Sequence, residues 1–157
     1  MWSIKADGLE YKMECAFEKY ENCVAETAIL NAHHWIELYG KKDFRCNFAE
    51  MVELEKRNGL AYYTLRENNI LCGHVAFMLI NTPYINETIA LDAFYYILPE
   101  YRGTFGMCKL LKFSGKHLIS NNIKTIIVSQ KIGMNLDSIL NRAGFYSSGN
   151  TFLFEDK

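Results

Sequence analysis

The segment FYYILPEYRGTFGMCKLL (94–111) constrains the fold of this chain more than any other, because in it a strand passes through a short glycine-bearing turn directly into a helix. Aromatic and β-branched residues up to Leu98 favour an extended chain. Pro99 closes the strand, since proline has no N–H to give a ladder. Arg102, Gly103, Thr104 and Gly106 form the turn, and a helix is predicted from about Phe105 to Ser120. Its inward face reads Met107, Leu110, Leu111, Ser114 and Leu118, with Lys109, Lys112 and Lys116 outward. Next comes KTIIVSQ (124–130), short and unbroken in the way of a buried parallel strand. A strand, a crossover helix and a second parallel strand place the helix against one face of a sheet.

The remainder of the chain fits around that unit. Residues 11–17 alternate and predict a first strand. Val24, Ala25, Ala28, Ile29, Ala32, Trp35, Ile36 and Tyr39 fall on one apolar stripe, with Asn22 as its cap and Gly40 at its end. Asn47-Phe48-Ala49-Glu50 announces a second helix that stops at Asn58-Gly59. Residues 60–65 and 70–80 read as a hairpin around Glu67-Asn68-Asn69, and 88–98 as a fourth strand. After the fifth strand, at 124–130, Asn135 or Asp137 can cap a helix striped with Leu136, Ile139, Leu140 and Ala143 and ended by Gly144. The tail predicts two short strands around Ser148-Gly149-Asn150. The expectation is one α/β (α+β) domain over 1–157, with a mixed, mostly antiparallel sheet of six to seven strands and four helices.

Charge and cysteine usage narrow the function. Seventeen Lys and Arg face eighteen Asp and Glu, a net charge of −1. That balance lacks the basic footprint that binding to a phosphate backbone requires, so nucleic acid is not an expected partner. The five cysteines are scattered and never spaced C-x-x-C, which argues against a disulfide framework or a structural metal site. With no signal-like or membrane-spanning run, the expectation is a cytoplasmic protein with no metal and no membrane partner.

The turn after Tyr101 carries the chemistry. The first turn of a helix has unpaired N–H groups and the positive end of the helix dipole, so it accepts anions. Glycine lets the backbone approach phosphate oxygens, and Arg102 can add a charge-assisted bond. A diphosphate needs these features together, although a strand–turn–helix also occurs where nothing binds. The other phosphate-binding signatures, G-x-x-x-x-G-K-[ST] and G-x-G-x-x-G, do not occur, nor do G-x-S-x-G and H-E-x-x-H. His33 and His34 are adjacent and point to different sides of a helix, so they do not chelate one metal.

With these residues in view the chain resembles the GNAT N-acetyltransferase superfamily. The order of elements is similar, as are Pro-Glu-Tyr-Arg-Gly (99–103) before the third helix and Asn-Arg-Ala-Gly-Phe (141–145) at the close of the last. HHWIEL (33–38), PEYRG and KLLKF (109–113) resemble in particular small GNAT-like proteins encoded by phages. The resemblance implies a V-shaped splay between the fourth and fifth strands that holds acetyl-coenzyme A. Ile97 and Leu98 would pair with pantetheine through their backbone. Arg102, Gly103, Thr104, Phe105, Gly106, Met107 and Cys108 would hold the pyrophosphate, with Ser129 and Asn135 near the thioester. The family pattern [R/Q]-x-x-G-x-[G/A], started at Arg102, meets Phe105 and Met107 at its glycine positions, while Gly103 and Gly106 lie beside them. Where many members carry an acid this chain has Ala93, next to Asp92, which a strand bulge would turn inward. Where many carry a tyrosine it has Leu140, with Tyr146, Tyr95 or Tyr96 as substitutes.

The implied activity is direct attack of a primary amine on acetyl-coenzyme A, the amine belonging to a protein lysine, a metabolite or an amino sugar. Asp92 is the expected base and His74 the reserve. A degenerate GNAT domain with a structural or host-inhibitory role is the alternative reading, and a nucleobase-modifying relative a third. Homodimerisation is left open.

Overall fold

The computed structural model describes residues 2–6, 9–40, 44–103, 105–130 and 135–149. The chain runs β1 (Trp2–Ala6), β2 (Leu9–Glu18), α1 (Tyr20–Tyr39), α2 (Phe48–Lys56), β3 (Leu60–Glu67), β4 (Ile70–Thr82), β5 (Glu87–Ile97), a 3₁₀ turn (Pro99–Tyr101), α3 (Gly106–Ser120), β6 (Thr125–Ile127) and α4 (Asp137–Ala143). Six strands form one sheet in sequence order. Every neighbouring pair is antiparallel except β5 and β6, which are parallel because α3 crosses between them. The mixed α+β expectation stands. Among the described residues no helix is long and apolar enough to cross a membrane.

The sheet is covered on both faces, which explains why Leu60–Leu65 is buried without a break. Ala61, Tyr63 and Leu65 join Val75, Phe77, Leu110, Leu111 and Leu118 under α3 and α4. The alternate residues Leu60, Tyr62 and Ala76 pack with Tyr20 and Cys23 under α1 and α2. Asn68 and Asn69, at φ 48 and 69, make the tight β3–β4 turn that asparagine tolerates well. Asn47 caps α2 as its sequence announces, its side chain accepting the Glu50 N–H at 3.1 Å. The predicted inward face of α3 is the buried one.

Other expectations need correction. The N-terminal strand is longer than 11–17 and is preceded by β1, whose hairpin partner it is. Helix α1 begins at Tyr20, so Asn22 lies inside its first turn and no side chain caps it. The apolar stripe predicted for α1 is not its buried face. Ile29 is 61% exposed and its neighbour Leu30 only 3%, and the inward residues are Tyr20, Cys23, Thr27, Leu30 and Asn31. The cause is polar pairing: Thr27 Oγ1 and the Tyr62 hydroxyl share a buried hydrogen bond of 2.6 Å, so a polar residue sits inward at little cost. Helix α4 starts at Asp137 after Leu136, with no side-chain cap. Strand β6 pairs only over Thr125–Ile127, and 145–149 form no strand; 150–157 lie outside the described residues.

The two faces of α1 can be told apart by stability. Leu30→Ala is expected to cost about 2–5 kcal/mol, as buried leucines do, and Ile29→Ala no more than about 0.5 kcal/mol. Urea unfolding of both variants checks this, and equal losses would contradict the assigned face.

Candidate functional site

The register of β4 against β5 slips between Ala76 and Phe77, where Ala93 is the additional residue. This is the bulge that Asp92 needs. Without it Asp92 would share a face with Phe94 and Tyr96; with it Asp92 pairs with Phe77 and shares the α3 side of the sheet with Tyr95.

Parallel pairing with β6 stops at Leu91 and Ile127. Past that point the two strands are linked by side chains rather than by a backbone ladder. The Ser129 N–H donates to Asp92 Oδ1 at 2.9 Å, and the Tyr95 hydroxyl donates to the Ser129 carbonyl at 2.7 Å. Ser129 is thus held through both its N–H and its carbonyl, and the splay expected between these strands is present.

A cavity of 960 Å³ opens along the splay. Its walls are the C-terminal part of α1, residues 44–46, residues 92–97 of β5, the turn leading into α3, Ser129 and Gln130, and one side of α4. Phe105 precedes α3 at φ 60 and ψ 8, a left-handed conformation uncommon for any residue but glycine. The backbone geometry that a glycine would supply there is therefore present with a phenylalanine in its place. Gly103, at φ 85, has open space where a Cβ would be. The Phe105 ring is 59% exposed, with the Arg142 guanidinium 5.4 Å from its centroid. The first N–H groups of α3 face the anion-favouring end of its dipole.

Of the residues singled out in the sequence, Asp92, Tyr96, Ile97, Arg102, Gly103, Phe105, Gly106, Met107, Cys108 and Ser129 line this cavity. His74, Leu98, Asn135 and Tyr146 do not line it, and Thr104 lies outside the described residues. His74 is 0% exposed, its Nδ1 3.2 Å from the Tyr62 hydroxyl, and burial lowers its pKa to about 3. Tyr146 is 84% exposed. The Leu98 N–H donates to the Cys72 carbonyl at 2.9 Å, so the sheet already takes it.

Arg102 has a partner that the sequence does not announce. Its guanidinium makes a two-pronged pair with Glu37 of α1, at 2.8 and 2.6 Å, and its Nε and Nη2 donate to the Ile97 carbonyl at 3.3 and 3.2 Å. The Tyr96 hydroxyl donates to the same Glu37 carboxylate at 3.0 Å, and the Tyr96 ring lies 5.4 Å under the guanidinium. Planar guanidinium and carboxylate groups suit this fork geometry. Glu37 could have been suspected only from its place on the helix, since 65 residues separate it from Arg102.

The two carboxylates of the cavity are driven apart. Hydrogen bonding to Arg102 holds Glu37 below the usual carboxylate range. Burial raises Asp92 to about 6 against the opposing Ser129 N–H. Asp92 thus changes charge near neutrality, whereas Glu37 is an ion at any physiological pH. Carbon-13 titration of the side-chain carboxyls is expected to place Asp92 near 6 and Glu37 below 4.5. Because the folded pKa of Asp92 exceeds its ordinary value of 3.8, its charge opposes folding above about pH 6 and not below 3.8. Asp92→Asn should therefore raise the melting temperature at pH 8 and leave it unchanged at pH 3.5; a loss at pH 8 would contradict the burial of this carboxylate.

No protein-family model and no curated protein sequence matches the chain. Solved structures do. Ribosomal-protein-alanine N-acetyltransferase from Brucella melitensis superposes with a TM-score of 0.71 at 12% identity, over 92% of this chain and 99% of the other. Glucosamine-6-phosphate N-acetyltransferase from Arabidopsis thaliana gives 0.72 at 8% identity, over 93% and 99%. A predicted acetyltransferase from Clostridium acetobutylicum, with acetyl-CoA, gives 0.68 at 18% identity, over 92% and 96%. At these identities the likeness establishes architecture: the chain has the GNAT acetyltransferase fold.

Proposed function

We propose that this chain is a single acyltransferase domain that moves an acetyl group from acetyl-coenzyme A to a primary amine by direct attack, with both substrates bound. The observation that carries the reading is the splayed pair β5 and β6, opening a cavity onto the N-terminus of α3 beside a carboxylate of raised pKa. Solved structures of the same fold include one with acetyl-CoA and one with a bisubstrate analogue of coenzyme A, which supports this co-substrate.

Each residue has a task in this reading. The amides of Gly103, Phe105, Gly106, Met107 and Cys108 receive the pyrophosphate, the left-handed Phe105 setting their direction. Arg102 walls the site and fastens the end of β5 to α1 through Glu37. Asp92, ionised above about pH 6, takes the proton that the ammonium of the acceptor must lose. The amine nitrogen then bonds to the thioester carbon and gives up its second proton to solvent, the carbon–sulfur bond breaks, and the thiolate leaves near neutral pH without an obligatory acid. The Tyr96 hydroxyl donates a hydrogen bond to Glu37 and so holds the wall.

The engagement of Arg102 and of the Ile97 carbonyl favours a second reading, a GNAT-fold protein that binds coenzyme A or a partner without catalysis. Calorimetric melting with millimolar acetyl-CoA, followed by thiol release with amines, distinguishes the two. The enzyme reading expects a raised melting temperature and thiol release whose kcat rises with pH through about 6. Asp92→Asn keeps an oxygen for the Ser129 N–H and should lower kcat about 10²–10⁴-fold with that limb abolished. A melting shift with no thiol release from any amine would support the second reading, and no shift would remove both coenzyme-based accounts.

A further inference from the structure

The charges of the cavity do not cancel, and the surplus restricts the acceptor. Among the described residues that line it are the guanidinium groups of Arg45, Arg102 and Arg142 and the carboxylates of Glu37 and Asp92. Glu37 is engaged by Arg102 in the two-pronged pair, so those two charges offset each other. Arg142 sits over the Phe105 ring, at the turn assigned to the diphosphate. Asp92 is left to meet the ammonium of the acceptor, and Arg45 is the remaining cation.

Arg45 stands apart from the other two arginines. It lies on the connection between α1 and α2, where Phe44 before it meets the Trp35 and Phe48 rings at 6.1 and 6.2 Å. Cys46 after it is half-buried, so the chain on either side of Arg45 is held against the helices while Arg45 itself is exposed. Arg66 and Arg102 both have carboxylates in contact, but no described carboxylate lies within ion-pair distance of Arg45. An acceptor that fills the cavity takes water from this guanidinium. A neutral group there leaves the charge without a partner, whereas an anion supplies charge-assisted bonds in the fork geometry that guanidinium favours.

Resting on the acyltransferase reading, we infer that the acceptor is a small amine that also carries an anion, a phosphate or a carboxylate, and that Arg45 receives this anion and sets the specificity. The ammonium end meets Asp92 and the anionic end meets Arg45, so one molecule answers both charges that the Glu37–Arg102 pair leaves over.

The test compares thiol release in matched series: glucosamine against glucosamine 6-phosphate, and 3-amino-1-propanol against 3-aminopropyl phosphate and 4-aminobutanoate. Phosphorus-31 NMR follows binding of glucosamine 6-phosphate alone. The expected result is a kcat/KM about tenfold or more higher for an anionic member than for its neutral counterpart. The phosphate and carboxylate arms show which anion the site takes. Arg45→Gln should erase the preference by raising KM for the anionic amine about tenfold, with KM for acetyl-CoA unchanged. Arg45→Lys, which keeps the charge without the fork, should fall between. A thermal shift with acetyl-CoA equal to that of the parent verifies that each variant is folded. Equal use of neutral and anionic amines in both series overturns the inference, as does transfer to none of them by a protein that binds acetyl-CoA. A rise in KM for acetyl-CoA in Arg45→Gln overturns it too, since the guanidinium would then serve the coenzyme, and the acyltransferase reading would stand. Phosphorus-31 broadening that Arg45→Gln abolishes, in a protein indifferent to acetyl-CoA, would sustain the anion site and sink the acyltransferase reading instead.

Discussion

Ile89–Leu91 against Thr125–Ile127 is the whole of the backbone pairing between β5 and β6, and the site follows from where it stops. Beyond Leu91 a closed sheet would have left no cavity. The bulge at Ala93 replaces the next rungs with two side chains, because it puts Asp92 and Tyr95 on one face where both reach Ser129. A side-chain bridge spans a wider gap than a ladder bond, whose strands lie about 4.8 Å apart. The same bulge half-buries Asp92, and the partial loss of water gives it a pKa suited to moving a proton near neutrality. Shape and acid–base chemistry thus share one cause.

The fold positions the second half of the site by a different device. Glu37 draws Arg102 away from the amides of α3 and uses it to join the end of β5 to α1, with Tyr96 as a third member. Tyr101 adds a tether, its hydroxyl donating to Glu67 at 2.6 Å. The turn between β5 and α3 is therefore held at the adjacent Tyr101 and Arg102 while its left-handed Phe105 aims the backbone. An anion there meets amides and a helix dipole rather than a free guanidinium.

Much of this was legible in the sequence, and the limits are physical. Strong periodicity gave the buried face of α3, and Asn47-Phe48-Ala49-Glu50 gave the start of α2, since both signals are local. The bulge beside Asp92 was suggested by an acid displaced one position from a familiar pattern. The buried face of α1 was misread because Thr27 and Asn31 are polar and become inward residues only through partners such as Tyr62, which no spacing reveals. Glu37 was missed for the same reason: an acid on a helix looks like a solvated residue until a distant arginine closes on it. His74, attractive as a base on a strand, is walled in by Tyr62 and Phe94, which is a property of packing alone.

The central claim is that the amides after Arg102 converge on the diphosphate of a nucleotide co-substrate. Nitrogen-15 NMR of the backbone during titration with coenzyme A tests it most directly. The account predicts large shifts and slowed exchange at Gly103 and Phe105–Cys108, with lesser changes at Tyr95 and Ser129 across the splay. Saturable binding that leaves those amides unmoved, or no binding at millimolar coenzyme A, would contradict it.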